Sequence, residues 1–169
     1  GFALGNPDDP PFQHKVLAHA FSMLERTEPG VEDFPESILD EGTEMLTCPL
    51  PPRYDTDAHP AVDEARGLRA AYDRAIEKYG NRVGAGRAVS ADDVPSAIES
   101  FIRIGEGTPW KEAQIPGIPA RVAQDIRGYY ETAALAIVHH TPAAWAGLRW
   151  FRDVTQTGKV IRAAQQAMK

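Results

Sequence analysis

The chain reads as an all-α protein, an irregular bundle of about six helices with two long Pro/Gly-rich connectors. Three observations predict this class. Apolar residues recur at steps of three and four in several windows, prolines stand where first helical turns would begin, and no segment shows the period-two alternation of a half-buried strand. The 169 residues fit one compact helical domain, 1–169. A chain of that size buries about 70% of its unfolded surface without a disulfide scaffold.

Proline fixes φ and lacks an N–H, which suits the first turn of a helix and disrupts later ones. Asp8-Asp9-Pro10-Pro11 therefore opens a helix to about Arg26, with Phe12, Val16, His19 or Ala20, and Met23 at helical spacing and Gly30 past its end. Asp33-Phe34-Pro35 opens a shorter helix to about Leu46, carrying Ile38, Leu39, Met45 and Leu46. From Cys48 to Asp57 the prolines 49, 51 and 52 impose an extended connector.

Pro60 begins a helix to Tyr79 with Val62, Ala65, Leu68, Tyr72 and Ile76 on one face and Gly80 as its stop. Its other face, with Asp63, Arg66, Asp73 and Lys78, is expected to meet solvent. Asn81 to Ala88 is a Gly-rich loop; Ser90-Ala91-Asp92-Asp93 resembles a capping box ending in Asp and opens a helix through Ile102 or Ile104. Gly105 to Ile118 is the second connector and holds Trp110; loops of this length often carry function or cover a partner. Pro119 opens a long helix that runs to His139-His140 and stops at Thr141-Pro142. The chain restarts there as a helix to Thr155, and Gly158 separates it from a terminal helix, Lys159 to Met168.

The net charge of −6 repels nucleic acid and anionic membrane surfaces, which argues against both as partners. Arg121, Arg127, Arg149, Arg152, Lys159 and Arg162 gather near the C-terminus and read as a solvated, partly salt-bridged face. No run approaches the ~20 apolar residues of a membrane span, which predicts a soluble chain. A start at Gly1-Phe2-Ala3-Leu4-Gly5 fits an expression scar or the trimmed product of a longer precursor, and the second would place the protein outside the cytoplasm, in the periplasm or beyond. Cys48 has no partner in the chain; it is an inert thiol or, in an oxidising compartment, a bond to another subunit.

The candidate chemistry lies in the last third. Val122, Ile126, Tyr129, Ala133, Ile137 and His140 share one helical face, with His139 about 100° away. A histidine there either satisfies the helix C-terminus or acts as a general acid/base, with Tyr129 or Tyr130 in an adjoining pocket. Metal binding is not expected: His14 and His19 diverge by about 140° around a helix, and no His-Glu-x-x-His or Cys-x-x-Cys occurs. Gly84-Ala85-Gly86-Arg87-Ala88-Val89 lacks the third glycine and the preceding strand of a dinucleotide fingerprint. Trp145, Leu148, Trp150 and Phe151 point large apolar groups in several directions, as a core helix or a subunit interface requires. Trp110, Trp145, Trp150, Phe151 and Cys48 are the candidate interface residues.

With its helical layout, its unpaired Cys48 and the order of Pro119-to-Val138 helix, turn, then Trp145 to Ile161, the chain resembles the small helical subunit of bacterial membrane-associated flavin dehydrogenases, the gluconate 2-dehydrogenase subunit 3 group. The resemblance implies a subunit without catalytic residues or cofactor of its own, exported with and stabilising a larger catalytic partner that carries FAD. The alternative is a stand-alone lyase or cyclase acting on an apolar small molecule, with His140 as base and Tyr129 or Tyr130 as orienting groups. A third reading is a ligand-binding bundle with the same pocket and no chemistry.

Overall fold

The computed structural model describes residues 9–36, 48–81, 86–138 and 146–169. Six α-helices and one 3-10 turn form these parts, with no strand among the described residues, as the all-α reading expects. The chain divides into two compact units, Gly1–Thr43 and Glu44–Lys169.

The first unit holds α1, Pro10–Ser22, which continues into a 3-10 turn over Met23–Glu25. Asp9 caps it by accepting from the Phe12 amide, and the prolines occupy the first turn. Phe34 returns to pack edge-on against Phe12 and His19, with ring centroids 5.6 and 5.4 Å apart. Lys15 pairs with Glu36 at 3.0 Å, and Arg26 pairs with Glu32. Residues 33–36 are not helical, and the helix expected from them to Leu46 falls mostly outside the described residues.

The second unit packs α2 (Pro60–Tyr79), α3 (Val94–Gly105), α4 (Pro119–Leu135), α5 (Ala146–Asp153) and α6 (Gln156–Ala167) around one apolar core. Helix α2 is central and touches α3, α4 and α6, while α5 bridges α4 and α6. Helices α3 and α6 approach closely because Gly105 lies against Ala163 and Ala164. The core holds Leu68, Ile98, Phe101, Ile104, Ile126, Tyr130 and Trp150. Helix α2 has the bounds its prolines and glycine predict, with Gly80 at φ 68° closing it through a bond from its amide to the Ile76 carbonyl at 2.8 Å.

Two helix ends differ from expectation. Helix α4 stops at Leu135, where the amides of Ala136 and Ile137 turn back to the carbonyls of Ala133 and Ala134 in a tightened last turn. His139 and His140 lie outside the described residues. Gly158, expected as a break, sits inside the first turn of α6. Thr155 is the N-cap: its hydroxyl accepts from the Gly158 amide at 2.9 Å and donates to the Phe151 carbonyl at 2.6 Å. The glycine is required by contact rather than by a turn, since a Cβ there would overlap the Phe151 carbonyl.

The first connector is fixed by polar contacts. Pro51 lies on Gly67, whose missing Cβ makes room for it. Arg53 donates to the carbonyls of Asp55 and Ala58 at 2.9 and 2.7 Å, and Asp55 accepts from the amides of Asp57 and Ala58. The second connector folds onto α3, where Arg103 donates to the Ala113 carbonyl at 2.9 Å.

Gly158→Ala is expected to lower stability by about 1–3 kcal/mol through overpacking. Gly147→Ala, whose Cβ would stand 3.6 Å from Glu131 Cγ, is expected to change it by less than about 1 kcal/mol. Urea denaturation midpoints of the two variants check the contrast.

Candidate functional site

The two tyrosines proposed from sequence are neighbours on α4 and both are buried. Tyr129 stacks on Tyr72 with centroids 4.7 Å apart, and its hydroxyl donates to the Ala65 carbonyl of α2 at 2.9 Å. Tyr130 meets Trp150 and Phe151 with centroids 6.1 and 5.2 Å away. Its hydroxyl donates to Glu64 Oε1 at 3.0 Å and lies 2.7 Å from Thr157 Oγ1. Burial pushes both phenols above their ordinary range, and for Tyr130 the nearby Glu64 adds to the effect. Both hydroxyls therefore join α4 to the rest of the core as neutral groups.

Sequence reasoning missed Glu64, the centre of this arrangement. It is buried at the start of α2. Beyond Tyr130 it accepts the amides of Gln156 and Thr157 at 3.0 and 3.3 Å. Those amides are free donors of the first turn of α6, so a carboxylate from another helix complements its positive end. Thr157 Oγ1 continues to the Ala61 carbonyl at 3.2 Å. Thr157 thus links the Tyr130 hydroxyl to the Ala61 carbonyl, so that Glu64, Tyr130, Thr157 and Ala61 form a chain of three contacts. Burial pushes the Glu64 carboxyl up, against the opposing pull of the two amides, the Tyr130 hydroxyl and the Lys159 charge.

Two further carboxylates tie loops to helices. Asp63, expected on the solvent face of α2, is buried: it accepts the amides of Tyr54 and Asp55 at 3.0 and 3.2 Å and pairs with Arg53 at 3.6 Å. Asp125 on α4 accepts the amides of Ala88 and Val89 at 2.6 and 3.1 Å, which seats the end of the Gly-rich loop. A signal for Glu64 and Asp125 was present. Glu64 occupies a place in the small apolar row Ala61, Leu68, Ala71, Ala75, and Asp125 lies between Val122 and Tyr129 on the buried face of α4.

The candidate interface residues separate into two groups. Trp150 and Phe151 are enclosed by the second unit's own core, and the Trp150 Nε1 donates to the Cys48 carbonyl at 3.3 Å. Cys48 is buried, and burial pushes its thiol up to about 11. Trp110 remains 42% exposed on the second connector, beside Lys111. Trp145 and His140 lie outside the described residues. Among the described residues no group of three His, Cys, Asp or Glu side chains is placed to hold a metal ion.

The first unit bears a row of bare apolar side chains. Leu17, Phe21 and Leu24 are 37%, 64% and 79% exposed, at i, i+4 and i+7 along α1 and its 3-10 continuation. They form a stripe roughly 150° around the helix from the face that Phe34 covers. No residue of α1 is buried. No family model, curated protein or solved structure matches the chain.

Three outcomes follow from this geometry. The raised Glu64 carboxyl means that its protonated form favours the folded chain: that contribution is complete below the unfolded value of about 4.3 and is lost as pH rises through the higher folded value. The stability of the wild type relative to Glu64→Gln should therefore fall with pH above about 4.3 in urea titrations. Glu64→Ala, which strips partners from Tyr130 and the α6 amides, should cost on the order of 3 kcal/mol at neutral pH. Cys48, with its thiol up at about 11, should resist iodoacetamide at pH 8 in native buffer and react fully in urea, as followed by mass.

Proposed function

We propose that the chain is a non-catalytic helical accessory subunit of a flavin-dependent oxidoreductase complex, stabilising a larger catalytic subunit that holds the FAD. The observation that carries this reading is the bare stripe of Leu17, Phe21 and Leu24 on a helix none of whose residues is buried. A 13-residue helix is marginal in water by itself, and covering Phe21 and Leu24, the two most exposed of those side chains, would contribute about 1–2 kcal/mol each. A partner groove that receives the stripe supplies that cover, in the manner of an amphipathic helix bound through anchors at i, i+4 and i+7. The hydroxyls of Tyr129 and Tyr130 support the reading as well, since both are spent on internal contacts. The class of partner follows from the resemblance to the small dehydrogenase subunits.

Native mass spectrometry of the assembly isolated from its source, with release and absorbance of bound flavin, tests this. A stoichiometric complex with a larger flavin-bearing chain is the expected result. Phe21→Asp should weaken that complex by about 2 kcal/mol, on the order of 30-fold, as loss of a buried aromatic anchor does. A solitary monomer that turns over a substrate would overturn the proposal.

A further inference from the structure

On the second unit, α4, α5 and α6 enclose an open groove of about 360 Å³. Its floor is apolar, with Ala123, Leu148, Phe151 and Ile161. Its rim carries one arginine from each helix: Arg127 from α4, Arg152 from α5 and Arg162 from α6. Gln124 and Gln165 complete the polar edge.

Two of the arginines are bonded to one carboxylate, and the three together are not neutralised. Asp153 receives two bonds of 2.9 Å from Arg152 and one of 3.3 Å from Arg162. Arg127 stands 3.5 Å from Glu131, and its buried Nε has no hydrogen-bond partner among the described residues. Three guanidinium groups thus share two carboxylates. The surroundings deepen the bias: residues 119–169 contain seven Lys and Arg against three Asp and Glu, in a chain whose net charge is −6. An apolar floor beside three cations complements a helix that presents aliphatic side chains at i, i+3 or i+4 with Asp and Glu beside them. The groove lies near the lower end of the ~300–1,000 Å³ typical of small-molecule sites. Its open form suits a row of side chains more than one enclosed anionic head.

We propose that this groove seats an acidic amphipathic helix of the larger subunit, which makes it a second docking point of the complex. The inference rests on the accessory-subunit reading. The helix inserts its apolar row over Phe151 and Ile161 and sets carboxylates against Arg127 and Arg162. The contact is rim electrostatics around a small apolar seat, so it governs association rate and salt dependence.

The test places the photo-cross-linker p-benzoylphenylalanine at Gln165, assembles the complex in its host, irradiates it and maps the joined peptides. The expected product joins Gln165 to a segment of the flavin-bearing chain with apolar residues at helical spacing flanked by Asp and Glu. Arg162→Glu, checked for unchanged helicity by circular dichroism, should weaken the complex about tenfold at low salt and by less at high salt. An intact flavin complex whose cross-link goes to a second copy, to a basic segment or to nothing overturns the inference and leaves the accessory reading standing. A small organic anion found bound in the groove overturns it likewise. Absence of any complex overturns both.

Discussion

The second unit depends on one buried carboxylate. Glu64 stands where the start of α2, the middle of α4 and the first turn of α6 meet, and it is bonded to a group from each of the other two. Hydrophobic burial alone is non-directional and would hold these helices together in many rotations. A carboxylate whose acceptor sites must be filled from Tyr130 and two specific amides allows few of them, because each misalignment leaves a buried polar group without a partner at about 1–3 kcal/mol. Desolvation of the charge opposes this gain, which is why the junction is better understood as fixing geometry than as adding stability.

The same device recurs at the periphery. Asp63 holds the amides of the first connector and Asp125 those at the end of the Gly-rich loop. Each carboxylate is anchored on a helix and satisfies backbone donors of a segment that has no ladder of its own. Prolines cooperate in the first connector: Pro51 removes a donor and packs on Gly67, so fewer amides there need partners. The long connectors are in this way bound to the helical core by side chains, and their polar backbone is accounted for without secondary structure.

The helices were legible where local rules decide alone. Pro60 and Gly80 bound α2, Pro119 opens α4, and the steps of three and four on α2 and α4 mark faces of which Val62, Ala65, Leu68, Val122, Ile126, Tyr129 and Ala133 are buried. Errors arose where a residue's role is set by a distant partner. Asp63 looks like part of a solvent stripe until Tyr54 and Asp55 offer their amides, nine and eight residues before it. Gly158 reads as a helix breaker, yet its purpose is the close approach of the Phe151 carbonyl, and Thr155 is the true boundary. Tyr129 and Tyr130 stand out in the sequence, but the contacts of their hydroxyls are set by Ala65 and Glu64, more than sixty residues away. The basic groove was visible only as a cluster of charges, since its apolar floor comes from three helices at once.

Interior and surface are mechanically linked through Phe151. Its ring forms part of the groove floor and packs on Tyr130 from the other side, while its carbonyl is held by Thr155 and closed over by Gly158. Tyr130 in turn is oriented by Glu64 and Thr157. The chain of contacts from Glu64 to the groove is therefore two side chains long. Close-packed interiors transmit such constraints because neighbouring side chains have no free volume to absorb a shift. A floor braced in this way is preorganised, and a preorganised surface loses less entropy when a charged helix docks than a mobile one would. The polar junction inside the bundle and the docking groove proposed on its surface are for that reason two ends of one constraint.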